Sequence, residues 1–360
     1  MLNKFKMILL GGLLWCSASY ARPHFEIATP DFSIQSRING AALCATAKQT
    51  LDYLNKGEQY DPLVIHAGVV HPIPLSRVKA TLRFICQHQD QLNDPVFLKQ
   101  HFDFVRWSPD IQYAKQFSKN KPLLKNLPHD QILMTKYYVH LANASKLPRS
   151  NRPYAIYALP EEEKKLTIEQ ANAMPNLIRF QYGKQAILAG ALKNKPVPAL
   201  AYVSRDDLES ALMQGTIVAN MGGANRVKIF NVNRNNNIQY NRLKQPFDQE
   251  RYWYFKEVEG IKGYGKDSEY KITVNPEVTF AGDLAQLGLG KVLMIQYPEK
   301  SGHHLTQIGV LADTGGAFEN NLYQVDYLAG LYHGKADFTQ STRHLPDYVT
   351  AYFMVLKTSV

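Results

Sequence analysis

The chain has 360 residues, of which 41 are Lys or Arg and 31 Asp or Glu, for a formal charge of +10, and it carries three cysteines. Its length exceeds one ordinary core, so two domains, or one with a large insertion, are expected. No stretch past the N-terminus is long or apolar enough to span a bilayer, and no CxxC or His/Cys spacing suggests zinc.

Lys4 and Lys6 precede the apolar run Met7 to Trp15, and Ser19-Tyr20-Ala21 supplies small residues for a peptidase. This is the pattern of a secretory signal, residues 1–21, cut after Ala21. Cys16 fits a lipobox poorly, because Trp15 stands where a small residue is needed. The mature protein is therefore expected in a periplasm or outside the cell. It loses two lysines and keeps a charge of +8 (10 − 2). Such a balance suits an acidic glycan, membrane head groups or nucleic acid, or is simply a solvated basic surface; secretion argues against nucleic acid.

Residues 22–92 read as an N-terminal helical extension broken by loops such as His71-Pro72-Ile73-Pro74. Cys44 lines up with Ala47, Leu51 and Leu54 on one apolar helix face, and Cys86 with Val78, Leu82 and Ile85 on another. An oxidising compartment favours a Cys44–Cys86 disulfide over two buried free thiols, and closing that loop would contribute about 4 kcal/mol. Asp94 then caps a short helix that starts with Pro95 and carries Phe97 and Phe102.

Strands follow over Ile132 to Leu141 and Tyr154 to Leu159. Thr167 with Gln170 opens a short helix to Met174, and Ser204 with Asp207 opens another that Gly215 ends. Val227 to Val232 and Ile238 to Tyr240 read as a hairpin with an Asn-rich tip. From Tyr252 onward come short strands: Tyr252 to Phe255, Lys271 to Val274, Lys291 to Gln296, Gln307 to Ala312, Leu322 to Tyr327 and Ala351 to Leu356. Their short, uneven spacing without long helices between them argues for a barrel. His303-His304 lie on a strand, where neighbours point to opposite faces, and read as polar strand residues.

The strand Gln307 to Ala312 is apolar on both faces and runs straight into Asp313-Thr314-Gly315-Gly316. Asp313 thus stands at the lip of a core, where partial desolvation would hold its proton to higher pH and make it a proton donor. Gly315 and Gly316 let the backbone turn sharply or approach a ligand. The plain alternative is an Asp capping a turn.

These pieces, in this order, resemble the membrane-bound lytic murein transglycosylase A family with its C-terminal 3D domain. Thr135-Lys136-Tyr137-Tyr138 is similar to a Thr-Gly-Tyr-Tyr block, and Gln181-Tyr182-Gly183 to a Gln-Gly-Ser-Gly stretch. Ala189-Gly190 with Lys193-Asn194, the strand Arg251 to Lys256, and Gly263-Tyr264-Gly265 follow in the same order. Most specific are Asp313 to Phe318 and Val325-Asp326-Tyr327-Leu328-Ala329-Gly330.

The resemblance implies a mainly β, α+β fold: a double-psi β-barrel (93–140 plus 201–360), an inserted second β-domain (141–200) and a saccharide groove between them. It implies cleavage of the MurNAc-GlcNAc β-1,4 bond of peptidoglycan with formation of 1,6-anhydro ends, with no cofactor or metal. Asp313 would be the single general acid and base, and Asp326 a second barrel acid or a structural acceptor. Thr135, Tyr137, Tyr138 and Gln181 would bind sugar, only one of the tyrosine pair facing the groove. Glycan strands are the expected partner, and any envelope protein partner would meet residues 22–92.

Departures from the family pattern are Lys136 for a glycine, His140 for a proline, and Asn275-Pro276-Glu277-Val278 where a first barrel Asp is expected. They leave open a secreted peptidoglycan-binding or scaffold protein of the same fold that cleaves weakly or not at all. An aspartic protease needs two such aspartates sharing a proton, and with one Asp-Thr-Gly this chain would supply them only as a symmetric dimer.

Overall fold

The computed structural model describes residues 24–358 apart from 34, 224–226, 242, 299–303 and 317, so the proposed signal, residues 1–21, and His303 lie outside the described residues. Its strands, in chain order, are β1 (His24–Ile27), β2 (Gln35–Ser36), β3 (Phe102–Ser108), β4 (Ile132–Asn143), β5 (Tyr154–Tyr157), β6 (Ala199–Val203), β7 (Thr216–Asn220) and β8 (Val227–Asn235). They continue as β9 (Trp253–Val258), β10 (Ile261–Lys262), β11 (Thr273–Val274), β12 (Thr279–Ala281), β13 (Val292–Pro298), β14 (His304–Asp313), β15 (Gln324–Tyr332) and β16 (Tyr348–Leu356). The first two helices are α1 (Gly40–Leu54) and α2 (Leu75–Gln87).

Six strands close on themselves. β16 pairs with β13, β13 with β14, β12 with β15 and β4 with β16, all antiparallel, while β14–β12 and β15–β4 are parallel. β13 and β14 are buried at nearly every position, as expected of strands covered on both faces. Gly309 of β14 lets Phe280 of β12 lie close, since a Cβ there would stand 2.7 Å from the Phe280 ring.

The N-terminal helices are part of this core. Leu43, Leu54, Val78 and Ile85 pack in one cluster with Met294, Val310, Leu311 and Phe353. A disulfide joins Cys44 of α1 to Cys86 of α2, with the Cα atoms 4.6 Å apart.

From β4 the sheet runs outward through β7, β8 and β9, and the β5–β6 pair lies beside it. Here a second core forms around Ile156, Val203, Leu208, Ile217, Phe230 and Phe255. Buried ion pairs brace it. Arg179 Nε donates to both oxygens of Glu163 at 2.9 Å, with Arg234 at 3.2 Å, and Lys184 Nζ meets Glu209 at 2.7 Å. Removing one partner would strand a buried charge, so each pair fixes its neighbours firmly.

Local signals read from the sequence are visible. Asp94 caps the helix Pro95–His101, Thr167 and Gln170 form a reciprocal capping box, and Gly215 ends the helix Arg205–Gln214 in the left-handed region at φ 78°. Two expectations are corrected. Phe102 begins β3 instead of extending the helix, and Val227 to Tyr240 is not a hairpin. β8 pairs with β7 and β9, and the segment after it turns away. Asn237 adopts φ 59°, and the Asn236 amide donates to Tyr182 O and Glu250 O, so side-chain bonds replace a strand ladder.

The disulfide closes a separation of 42 residues. Reducing it, or replacing both cysteines with Ala, is expected to lower unfolding free energy by about 2–4 kcal/mol in urea titration, and an unchanged midpoint would refute a stabilising role.

Candidate active site

β14 delivers Asp313 to the end of the closed ring, and the ladder sets its company. Ala281 of β12 is in register with Asp313 on one side and Asp326 of β15 on the other, and Asp326 is in register with Thr135 of β4. Three strands therefore separate neither acid by more than one intervening residue. Both carboxyls are partly buried.

Asp313 is held at both oxygens. The Tyr137 hydroxyl donates to Oδ2 at 2.8 Å and the Thr314 backbone N–H donates to Oδ1 at 2.9 Å. Thr314 is itself pinned, its hydroxyl donating to Gly282 O at 2.7 Å, and the Gly282 N–H returns to Asp313 O at 3.2 Å. Burial pushes the Asp313 carboxyl up to about 6, against the pull of the Tyr137 hydroxyl, the Thr314 N–H and the Lys271 ammonium.

Asp326 is pushed up to about 7, chiefly by burial and further by the charge of Asp313, while Thr135 and Lys136 act the other way. Its Oδ1 is buried without a hydrogen-bond partner. A neutral carboxyl tolerates that position better than a carboxylate does.

A loop marked in the sequence by Gly263-Tyr264-Gly265 lies over Asp313. Gly263 lies so close that a Cβ would stand 2.8 Å from Ala312 O and 3.5 Å from Asp313 Cβ, and the Tyr264 N–H donates to Ala312 O at 3.0 Å. The Tyr264 hydroxyl reaches back to Asp61 Oδ2 at 2.8 Å, which also accepts from Tyr53 of α1. Lys271, from the same loop, donates to Asn231 Oδ1 of β8 at 2.8 Å. Burial pushes its ammonium below the usual range, and Asp313 pulls the other way. A cavity of about 410 Å³ beside α1 is lined in part by Lys56, Tyr270 and this same Lys271. The only sequence signal for this loop was the Gly-Tyr-Gly turn.

The remaining candidates separate. Tyr137 turns to Asp313, whereas Tyr138 faces the other way, 7% exposed and stacked on Phe338 at 4.7 Å. Only one of the tyrosine pair was expected to face the groove, and Tyr138 is the one packed inward, against Phe338 and Tyr332. Thr135 accepts from Gln324 Nε2 at 2.7 Å and donates to Val325 O at 3.3 Å. Gln181 ends the short helix Ile178–Gln181 beyond the second core and donates to Asn176 O. Gly316 has open space where a Cβ would lie, and Gly315 meets Phe318 alone at 4.0 Å, so room for a ligand lies directly after Asp313.

The departures have structural partners. Lys136 pairs with Asp347 at 2.8 Å, and His140 with Asp207 at 2.8 Å, docking the helix Arg205–Gln214 on β4. Asn275 donates its amide to Ala42 O at 3.4 Å and to Thr46 Oγ1 at 3.1 Å, tying the ring to α1. Among the described residues no group of three His, Cys, Asp or Glu could hold a metal ion.

Neither a protein-family model nor a curated protein matches the sequence. Solved structures do. E. coli MltA with bound chitohexaose superposes with a TM-score of 0.59 at 16% identity, covering 95% of this chain and 96% of that one. The chain has the MltA fold. A membrane-bound lytic murein transglycosylase from Agrobacterium tumefaciens gives 0.60 at 13% identity, covering 92% and 97%, and MltA from Neisseria gonorrhoeae 0.56 at 15%, covering 91% and 89%. The MltA-like architecture thus includes the N-terminal helices, since nearly the whole of each chain is matched.

Both acids are raised above the unfolded carboxyl range of about 4, so their favourable contribution is whole below that pH and is lost as pH rises through about 6 and about 7. Asp313→Asn and Asp326→Asn, which cannot ionise, are each expected to be more stable than the parent by about 1–2 kcal/mol at pH 8, with the gain vanishing below about pH 4. Urea titrations at the two pH values measure this, and a loss of stability at pH 8 would contradict it.

Proposed function

We propose that the protein is a peptidoglycan lytic transglycosylase that breaks the MurNAc-GlcNAc β-1,4 bond and leaves a 1,6-anhydro-MurNAc end. The observation that carries this reading is Asp313, gripped at both oxygens at the mouth of the ring, with burial pushing its carboxyl up to about 6. It is supported by a fold shared with structures of lytic transglycosylases.

A hydrolytic glycosidase needs one carboxyl to protonate the leaving oxygen and another to attack or to activate water. Intramolecular cleavage needs one. Asp313 gives its proton to the glycosidic oxygen as the bond to C1 breaks. The C6 hydroxyl of the same ring, already within reach, closes on C1 and gives its proton to the Asp313 carboxylate. The acid is thereby restored and no water is consumed. Asp326, neutral at the same pH, keeps a second negative charge out of the site.

In this reading the six-stranded ring is a double-psi barrel and residues 141–200 are the inserted domain, which shares the second core with β7, β8 and β9. The saccharide groove lies between the two, over Gly315 and Gly316. The enzyme works in the periplasm or outside the cell, and residues 22–92 are the surface for envelope proteins; no described helix is long and apolar enough to cross a membrane.

Murein sacculi incubated with the protein are expected to yield anhydro-muropeptides by mass analysis, with a rate that falls as pH rises through about 6. Asp313→Asn should lower that rate by about 10³-fold. Reducing ends would overturn the transglycosylase reading, and protein that pellets with sacculi without cleaving them would favour the binding alternative.

A further inference from the structure

We propose that Tyr137 is the positioning residue of the site: its hydroxyl fixes the Asp313 carboxyl and leaves Oδ1 as the oxygen that exchanges a proton with substrate. This rests on the reading of Asp313 as the acid and base, and it replaces the sugar-binding role that the sequence suggests for Tyr137.

Geometry carries the argument. Tyr137 lies at the point where β4 and β15 lose strict register, Leu328 opposite Tyr137 and Gly330 opposite Tyr138. The irregularity leaves Ala329 without a partner on β4. Strand alternation sends Tyr138 to the Phe338 side and Tyr137 to the Asp313 side. Its hydroxyl donates to Oδ2 at 2.8 Å. Burial and the Asp313 charge hold the phenol well above its usual range, so it stays a donor at every working pH.

The two oxygens then differ. Oδ2 is claimed by a half-buried side chain of the ring, whereas Oδ1 receives the Thr314 N–H, at the start of the segment whose glycines face open space. A carboxyl with one fixed oxygen cannot swivel, so the exchanging oxygen keeps its place through protonation of the leaving group and recovery of the proton from C6-OH. The groups facing Asp313 are Tyr137 from β4, Lys271 from the loop before β11, and Asp326 from β15 through its charge. Of these, Tyr137 alone bonds to a carboxyl oxygen through its side chain.

Two substitutions move the system in opposite directions. Tyr137→Phe keeps the ring and removes the donor, so the Asp313 titration midpoint, followed by carboxyl-carbon NMR, should rise by about one pH unit. The high-pH limb of sacculus cleavage should move up with it, and kcat on the acidic plateau should fall about tenfold with KM unchanged. Difluorotyrosine at 137, a stronger donor, should lower the midpoint and restore kcat. A merely structural tyrosine would change the thermal midpoint without moving the Asp313 titration. An Asp313 midpoint that stays put in both variants overturns the proposal. The NMR titration reads this even in a protein that does not cleave murein, so loss of the transglycosylase reading and loss of the Tyr137 role give different results.

Discussion

Two residue pairs, Tyr348 with Leu133 and Val349 with Ile132, close six strands into a ring, and the chemistry of the molecule hangs on that closure. Left open, the ends of β4 and β16 would present unpaired backbone groups to water at these two pairs. Closed, the ring aligns Asp313, Ala281, Asp326 and Thr135 in one partly buried row. Burial is the largest cause of the raised proton affinity of both acids, so a ring that gaped would return them toward ordinary carboxylates. Asp347 reinforces the seam, its carbonyl accepting from Met134 N–H at 2.8 Å and its carboxylate pairing with Lys136.

Within this row the two acids are made unequal. Asp313 has two hydrogen-bond donors and the field of Lys271, whereas Asp326 has an orphaned Oδ1 and feels the charge of its neighbour. Loss of a proton from one acid makes the second harder to remove. The loop from Gly263 to Lys271 links this balance to the rest of the fold: it covers Asp313, reaches α1 through Tyr264 and Asp61, and touches β8 through Lys271 and Asn231.

How much of this is legible in the sequence depends on the range of the interaction. Caps at Asp94, Thr167, Ser204 and Gly215 are local, and the structure has them all. Asp313 at the end of an apolar strand is likewise visible, because strand and acid are contiguous. β3 is hidden: Asp103 and Arg106 break its apolar pattern, and it exists because the edge of β16 pairs with it. The Tyr137 contact spans 176 residues of chain, and the alternation of Tyr137 and Tyr138 tells that they part without telling which finds the acid. The Asn-rich tip misleads for the opposite reason, since amide side chains that suit a turn also satisfy buried backbone carbonyls.

Asn275 shows how much of a joint can rest on one side-chain amide. Its amide donates to the Ala42 carbonyl and the Thr46 hydroxyl on α1 while its own carbonyl accepts from Thr279. A carboxylate in its place would set an acceptor against the Ala42 oxygen, so restoring the acid would loosen the joint between helix and ring. One amide thus serves as a rivet between the first helix and the ring, and an isosteric change of a single atom would turn an attraction there into a repulsion.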